Sequence, residues 1–173
     1  MSTDTQTGDT VQVYRIYIKT DPQKVWDAIT KPEWTAKYGY GGRGEYDLRP
    51  GGKYVGYTSQ EMKEGAASQG IQVPDIAIEG EIIEVDIPRK LILTWHMVMD
   101  PNTAADSHTR LTYELQEIAK GVTRLTLTHE LAGAPAAADI LSGKWESEGA
   151  GGGWSWVLSD MKSVIETGNR MAQ

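Results

Sequence analysis

The chain closes on a helix that follows a run of strands, and that order leaves few folds open. Residues 149–153, Gly149-Ala150-Gly151-Gly152-Gly153, break any regular structure. From Trp154 to Arg170 the pattern then reads as one amphipathic helix, with Trp154, Val157, Leu158, Met161, Val164 and Ile165 on one face. Between residues 43 and 130 the sequence reads instead as strands and turns. A long helix delivered after an antiparallel sheet buries its apolar stripe by lying across that sheet. If the sheet is curved, a cavity remains between the two layers, and a cavity suggests a ligand.

The remaining segments fit this arrangement. Val11 to Ile18, rich in β-branched and aromatic residues, reads as the first strand. Asp21 is placed as an N-cap and Pro22 as the first residue of a helix whose apolar side is Val25, Trp26 and Ile29. Thr30 and Glu33 have capping-box spacing, which predicts a second short helix from Lys31 to about Tyr38, ended by Gly39, Gly41, Gly42 and Gly44. Strands over 43–49 and 53–60 flank the turn Pro50-Gly51-Gly52. Residues 61–75 are polar and small and close at Pro74, so a loop is expected there, either a mobile insertion or a lid. Strands over 76–86 and 90–99 turn at Pro88-Arg89, and strands over 109–117 and 123–130 form a hairpin around Lys120-Gly121. A loop over 131–153 carries a helical turn near 136–141. The expected organisation is a flexible polar tail over 1–10 and a single domain over 11–173, with no internal repeat.

Composition narrows the function classes. A net charge of −7 argues against a nucleic-acid partner, which needs clustered Lys and Arg. With no cysteine there is no disulfide, thiolate metal site or Cys nucleophile, and three scattered histidines make no metal site. No Gly-x-Ser-x-Gly elbow is present, and residues 149–153 lack the Lys and Ser/Thr of a phosphate loop, so no cofactor is expected. There is no apolar run of about 20 residues. The first ten residues have neither the basic start nor the apolar stretch of a signal peptide, and a cytoplasmic location is expected. The chain has no Phe, so six Trp and eight Tyr carry the aromatic bulk, each bringing a donor that needs a partner when buried.

Six segments in order narrow the fold further: PQKVWDAIT at 22–30, DLRPGG at 47–52, GEIIEVD at 80–86, LILTW at 91–95, TRLTLTHE at 123–130 and Gly153-Trp154. Together they resemble the START-like (SRPBCC) superfamily, and within it the bacterial family similar to the C-terminal domain of the activator of Hsp90 ATPase. The resemblance spans roughly residues 11–170. It implies an α+β helix-grip fold, in which a curved antiparallel sheet wraps a long C-terminal helix. Relatives in the superfamily bind lipids, sterols, plant hormones or polyketides, and some cyclise polyketides. Fold alone does not fix which of these applies.

Strand alternation selects the candidate site. Leu91, Leu93, Trp95, Met97 and Met99 share a face, as do Leu111, Tyr113 and Leu115, and Leu125, Leu127 and His129. Tyr54, Gly56 and Thr58 are placed with them, Gly56 leaving space. The candidate ligand-binding residues are Trp26, Trp34, Tyr54, Trp95, Met97, Tyr113, His129, Trp154, Leu158 and Met161. The same list also describes a filled core. His129 is expected to point inward, either as a ligand contact or as a core histidine bonded to a backbone carbonyl. His96, out of phase with Trp95, is expected to face solvent or a partner subunit. Glu79 and Glu81 share a phase that Ile82 breaks, so the strand is expected to bulge, and either glutamate is placed inward or on the outer face.

Three readings follow. The first is a small apolar or amphipathic ligand held between helix and sheet. Burying roughly 300 Å² of apolar surface at about 25 cal/mol/Å² contributes about 7 kcal/mol, against an association cost of at least about 4. Tight binding therefore needs polar anchors such as His129, Tyr54, Tyr113 or the Trp95 N–H. The second is a protein-interaction role, chaperone stimulation or homodimer assembly, through exposed aromatics such as Trp145, Trp156 or Tyr40. The third is a cyclase-like or hydrolytic enzyme pairing His129 with a glutamate. No catalytic residue is assigned on the first two.

Overall fold

The computed structural model describes residues 10–172, so the tail expected over 1–10 lies, apart from Thr10, outside the described residues. Seven strands form one antiparallel sheet: β1 Val11–Ile18, β2 Gly44–Tyr46, β3 Lys53–Tyr57, β4 Ile76–Asp86, β5 Lys90–Met97, β6 Thr109–Ala119 and β7 Val122–Glu130. Their spatial order is β1-β7-β6-β5-β4-β3-β2, so the first strand returns to pair with the last. The helices are α1 Pro22–Thr30, α2 Pro32–Thr35, α3 Gln60–Ala67, α4 Pro101–Ala104, α5 Pro135–Leu141 and α6 Gly153–Thr167. The sheet is curved and α6 lies in its grip, which is the α+β helix-grip arrangement the sequence predicts.

Local chemistry explains most boundaries. Asp21 accepts from the Lys24 N–H at 2.8 Å and starts α1 ahead of Pro22. Strict alternation on β6 and β7 buries Thr109, Leu111, Tyr113 and Leu115, and Thr123, Leu125, Leu127 and His129. These meet Trp154, Leu158, Met161, Val164 and Ile165 of α6 in one core cluster. The alternation break at Ile82 is a bulge: the pairing of β4 with β5 shifts between Ile82 and Glu84. Ile82 turns inward, whereas Glu79 and Glu81 are exposed. α6 ends at Thr167, before Arg170, where Gly168 takes the left-handed conformation at φ +80°.

Three expectations are corrected. The capping box between Thr30 and Glu33 does not form. The Thr30 hydroxyl donates back to the Trp26 carbonyl at 2.9 Å and closes α1, and α2 starts at Pro32 without a side-chain cap and stops at Thr35. Residues 61–75 are not loop throughout, because Ser59 caps α3 by accepting from the Met62 N–H at 3.2 Å. That helix buries no residue, so it lacks the apolar stripe that would have revealed it. Finally, β2, β3 and β5 are shorter than read, because residues 47–52 turn back early and Thr58 and Ser59 lead directly into α3.

Candidate functional site

A pocket of about 180 Å³ opens between the N-terminal half of α6, the inner face of β3 to β6 and the segment running from Tyr38 to Gly44. Its space comes from missing side chains. Gly44 and Gly56 are register partners across β2 and β3, both line the pocket, and a Cβ on Gly56 would lie 2.9 Å from the Tyr54 hydroxyl. The far half of the same interlayer space is filled by Leu158, Met161 and Trp26, each buried.

Six of the eight tyrosines line this pocket: Tyr38, Tyr40, Tyr46, Tyr54, Tyr57 and Tyr113. Three have their hydroxyls committed elsewhere. Tyr38 donates to the Ala28 carbonyl at 2.7 Å, Tyr57 reaches Glu45 at 3.4 Å, and Tyr40 accepts from the Gly153 N–H at 3.2 Å. The other three gather on one another. The rings of Tyr46 and Tyr54 stack with centroids 4.4 Å apart, and the Tyr46 hydroxyl interacts electrostatically with those of Tyr54 and Tyr113. Burial raises the pKa of all three above the usual tyrosine value, Tyr54 to about 12, so they remain neutral phenols. Among the described residues, no Lys, Arg, Asp, Glu or His lines the pocket.

Of the residues selected from sequence, Tyr54, Trp95, Met97, Tyr113 and Trp154 line the pocket. Trp26, Leu158 and Met161 are core, and Trp34 sits half-buried on α2 with the Lys37 ammonium 4.9 Å above its ring. None of these four lines the pocket, nor does His129. Sequence reading missed Tyr38, Tyr46, Tyr57, Val157 and Met62 as lining residues: Tyr38 lies outside the regular elements, Tyr46 is on a three-residue strand, Tyr57 is out of phase with Tyr54, Met62 is on the helix that reads as loop, and Val157 reads only as part of the α6 stripe. Among the exposed aromatics, Trp145 and Tyr40 are at the surface, whereas Trp156 is half-buried.

His129 points inward as expected, but not to a backbone carbonyl. The Thr109 hydroxyl donates its one hydrogen to the Trp95 carbonyl at 2.7 Å, so its oxygen accepts from His129 Nε2, 2.8 Å away. The Trp154 indole N–H donates to Nδ1 at 3.1 Å. This pattern assigns the neutral Nε2–H tautomer with both nitrogens satisfied. Burial pushes the imidazole down to about 3. No carboxylate joins it: the pairing with Glu79 or Glu81 required by an acid–base enzyme is not formed, because the bulge at Ile82 leaves both on the outer face. His96 is not free in solvent. Its ring is half-buried, stacks on His108 at 4.5 Å and lies 3.1 Å from the Ala104 carbonyl through Nε2.

A second buried polar group fixes the pocket rim. Asp160 of α6 is fully buried and accepts from the Gly39 and Met171 N–H groups, each at 2.8 Å, and from Arg170 Nε at 3.3 Å. Arg170 also donates to the Gly39 carbonyl at 2.6 Å. The segment after α6 is thereby folded back and tied to the turn carrying Tyr38 and Tyr40. Among the described residues no group of three His, Asp or Glu could hold a metal ion, and no helix is long and apolar enough to cross a membrane.

A family model described as Activator of Hsp90 ATPase homolog 1-like protein matches residues 19–166. No curated protein matches the sequence. Among solved structures, the chain is similar to PFC0360w, an HSP90 activator from Plasmodium falciparum, at 19% identity and TM-score 0.61, covering 90% of this chain and 96% of that one. Protein Ms6760 from Mycobacterium smegmatis gives 20% identity and TM-score 0.63, covering 92% and 93%. Protein MLL2253 from Mesorhizobium loti gives 17% identity and TM-score 0.63, covering 90% and 96%. At these identities the likeness is one of fold.

Proposed function

The chain belongs to the activator of Hsp90 ATPase homolog 1-like family, and from that premise we propose that it binds a small apolar or amphipathic molecule in the pocket between α6 and the sheet. The observation that carries this reading is the lining itself. Trp95, Trp154 and six tyrosines surround open space in a layer that is otherwise filled, and no charged side chain enters it. Apolar walls with a few converging hydroxyls are the usual make-up of a small-molecule site. The lining holds no acid–base pair, since His129 is committed to Thr109 and Trp154 behind the wall, so we assign binding and no catalysis. A cytoplasmic location is part of the proposal; with no cysteine, the fold needs no oxidising compartment.

The test is native mass spectrometry of the purified protein beside a Val157→Trp variant, whose indole would occupy the pocket. A small molecule retained by the wild type and absent from the variant is the expected result. Co-purification of a chaperone with both proteins, and no small molecule with either, would favour the interaction role instead.

A further inference from the structure

We propose that the pocket selects an uncharged molecule carrying a carbonyl or similar hydrogen-bond acceptor on an apolar body, and rejects the matching carboxylate. This rests on the binding reading above and adds the chemistry of what is bound. Two features of the wall argue for it.

The first is a spare donor. The hydroxyls of Tyr46, Tyr54 and Tyr113 bring three hydrogens to the pocket. Pairing of the Tyr46 hydroxyl with those of Tyr54, on which its ring stacks, and Tyr113 would use at most two of them. None of the three donates to a backbone carbonyl or carboxylate among the described residues, in contrast to Tyr38, which is tied to Ala28. At least one hydrogen therefore points to no protein acceptor, whichever way the three rotors turn. A bound hydrocarbon would cover that hydrogen and leave it unpaired, whereas a carbonyl oxygen would accept it.

The second is the absence of countercharge. A carboxylate entering this wall would leave its water shell and meet no Lys, Arg or His in exchange. Neutral phenols donate to it but cannot neutralise it. Size sets the scale of the ligand: an engineered apolar cavity of about 150 Å³ takes benzene, so a pocket of about 180 Å³ takes one ring with a short tail.

The experiment compares three probes that share a phenylethyl body: benzylacetone, hydrocinnamate and butylbenzene. Benzylacetone differs from hydrocinnamate by a methyl group in place of the charged oxygen. Each is titrated at pH 7 into the whole chain, with amide chemical shifts as the readout. The expected order is benzylacetone first, by about tenfold or more over hydrocinnamate, with butylbenzene weaker than benzylacetone. In the triple variant Tyr46→Phe, Tyr54→Phe, Tyr113→Phe the rings remain and the hydroxyls go. Benzylacetone should then fall to the affinity of butylbenzene, whose own binding persists and reports an intact pocket. Equal or tighter binding of hydrocinnamate would overturn the selectivity while leaving the binding reading intact. Retention of the benzylacetone advantage in the triple variant would overturn the tyrosine assignment. If no probe shifts pocket resonances at millimolar concentration, the binding reading fails and the inference falls with it.

Discussion

The indole N–H of Trp154 donates to Nδ1 of His129 across 3.1 Å, joining the first turn of α6 to the end of β7 behind the pocket wall. Because Trp154 also lines the pocket and lies 6.4 Å from Trp95 between ring centroids, this bond sets the position of one wall. Protonating Nδ1 would put a hydrogen where the indole hydrogen already is.

That relationship carries a pH dependence with a definite sign. The folded-state value for His129 is lowered to about 3 from an ordinary 6.5 by burial. Between those values the unfolded chain binds a proton that the folded chain does not. Stability from this group is therefore complete above the unfolded value and is lost as pH falls toward the folded one, at up to about 1.4 kcal/mol per pH unit. Urea unfolding at pH 7, 6 and 5 should show the wild type losing more stability than His129→Gln over this range. A stability difference between the two proteins that stays constant with pH would contradict it.

Asp160 should be among the costlier single changes outside the apolar core. Replacing it with Ala leaves the Gly39 and Met171 N–H groups and the Arg170 Nε–H without their acceptor. Leaving the buried Gly39 N–H unpaired costs about 1–3 kcal/mol, and loss of the ion pair, whose Arg170 side chain is 34% exposed, adds less than a fully buried pair would. Asp160→Asn, which keeps one oxygen, should cost less. Equal unfolding midpoints for wild type and Asp160→Ala would show that the clasp contributes nothing.

Tyr40 acts as a distant N-cap. α6 starts at Gly153 with no side-chain cap from its own N-terminal residues, and the Tyr40 hydroxyl accepts the Gly153 N–H instead. Tyr40→Phe should destabilise the chain by about 1 kcal/mol, the usual cost of a lost cap. Gly151→Ala should also destabilise it, because its Cβ would run into the Tyr40 hydroxyl and its φ is +86°. The second effect should shrink in the Tyr40→Phe background, as a double-mutant cycle in urea would show. Strict additivity would mean the two groups do not meet.

What was legible in the sequence was what repeats locally. The stripe on α6, the Asp21 cap, the alternation on β5 to β7 and the break at Ile82 each follow from neighbours a few residues apart. The pocket was half legible for the same reason: Tyr54, Trp95, Met97, Tyr113 and Trp154 lie on periodic elements. Tyr38 lies outside the regular elements, Tyr57 is out of phase with Tyr54 on β3 where the pairing with β4 shifts between Gly56 and Tyr57, and Tyr46 sits on a strand too short to show a face. Asp160 gave no pairing signal in the sequence, because its partners Gly39 and Arg170 lie outside the helix. The one available signal was its phase, three residues after Val157 and four before Val164, at the margin of the apolar stripe.

A small apolar molecule should enter the space between α6 and the sheet and no other part of the surface. Titration of the isotope-labelled protein with toluene, followed by amide shifts, should move Gly44, Gly56, Ala77 and Val157 together and leave the outer face of β4, at Glu79 and Glu81, unchanged. The Val157→Trp variant should lose those shifts. Saturable shifts confined to the outer face, or pocket residues that stay still to the solubility limit, would contradict the placement of a ligand site between α6 and the sheet.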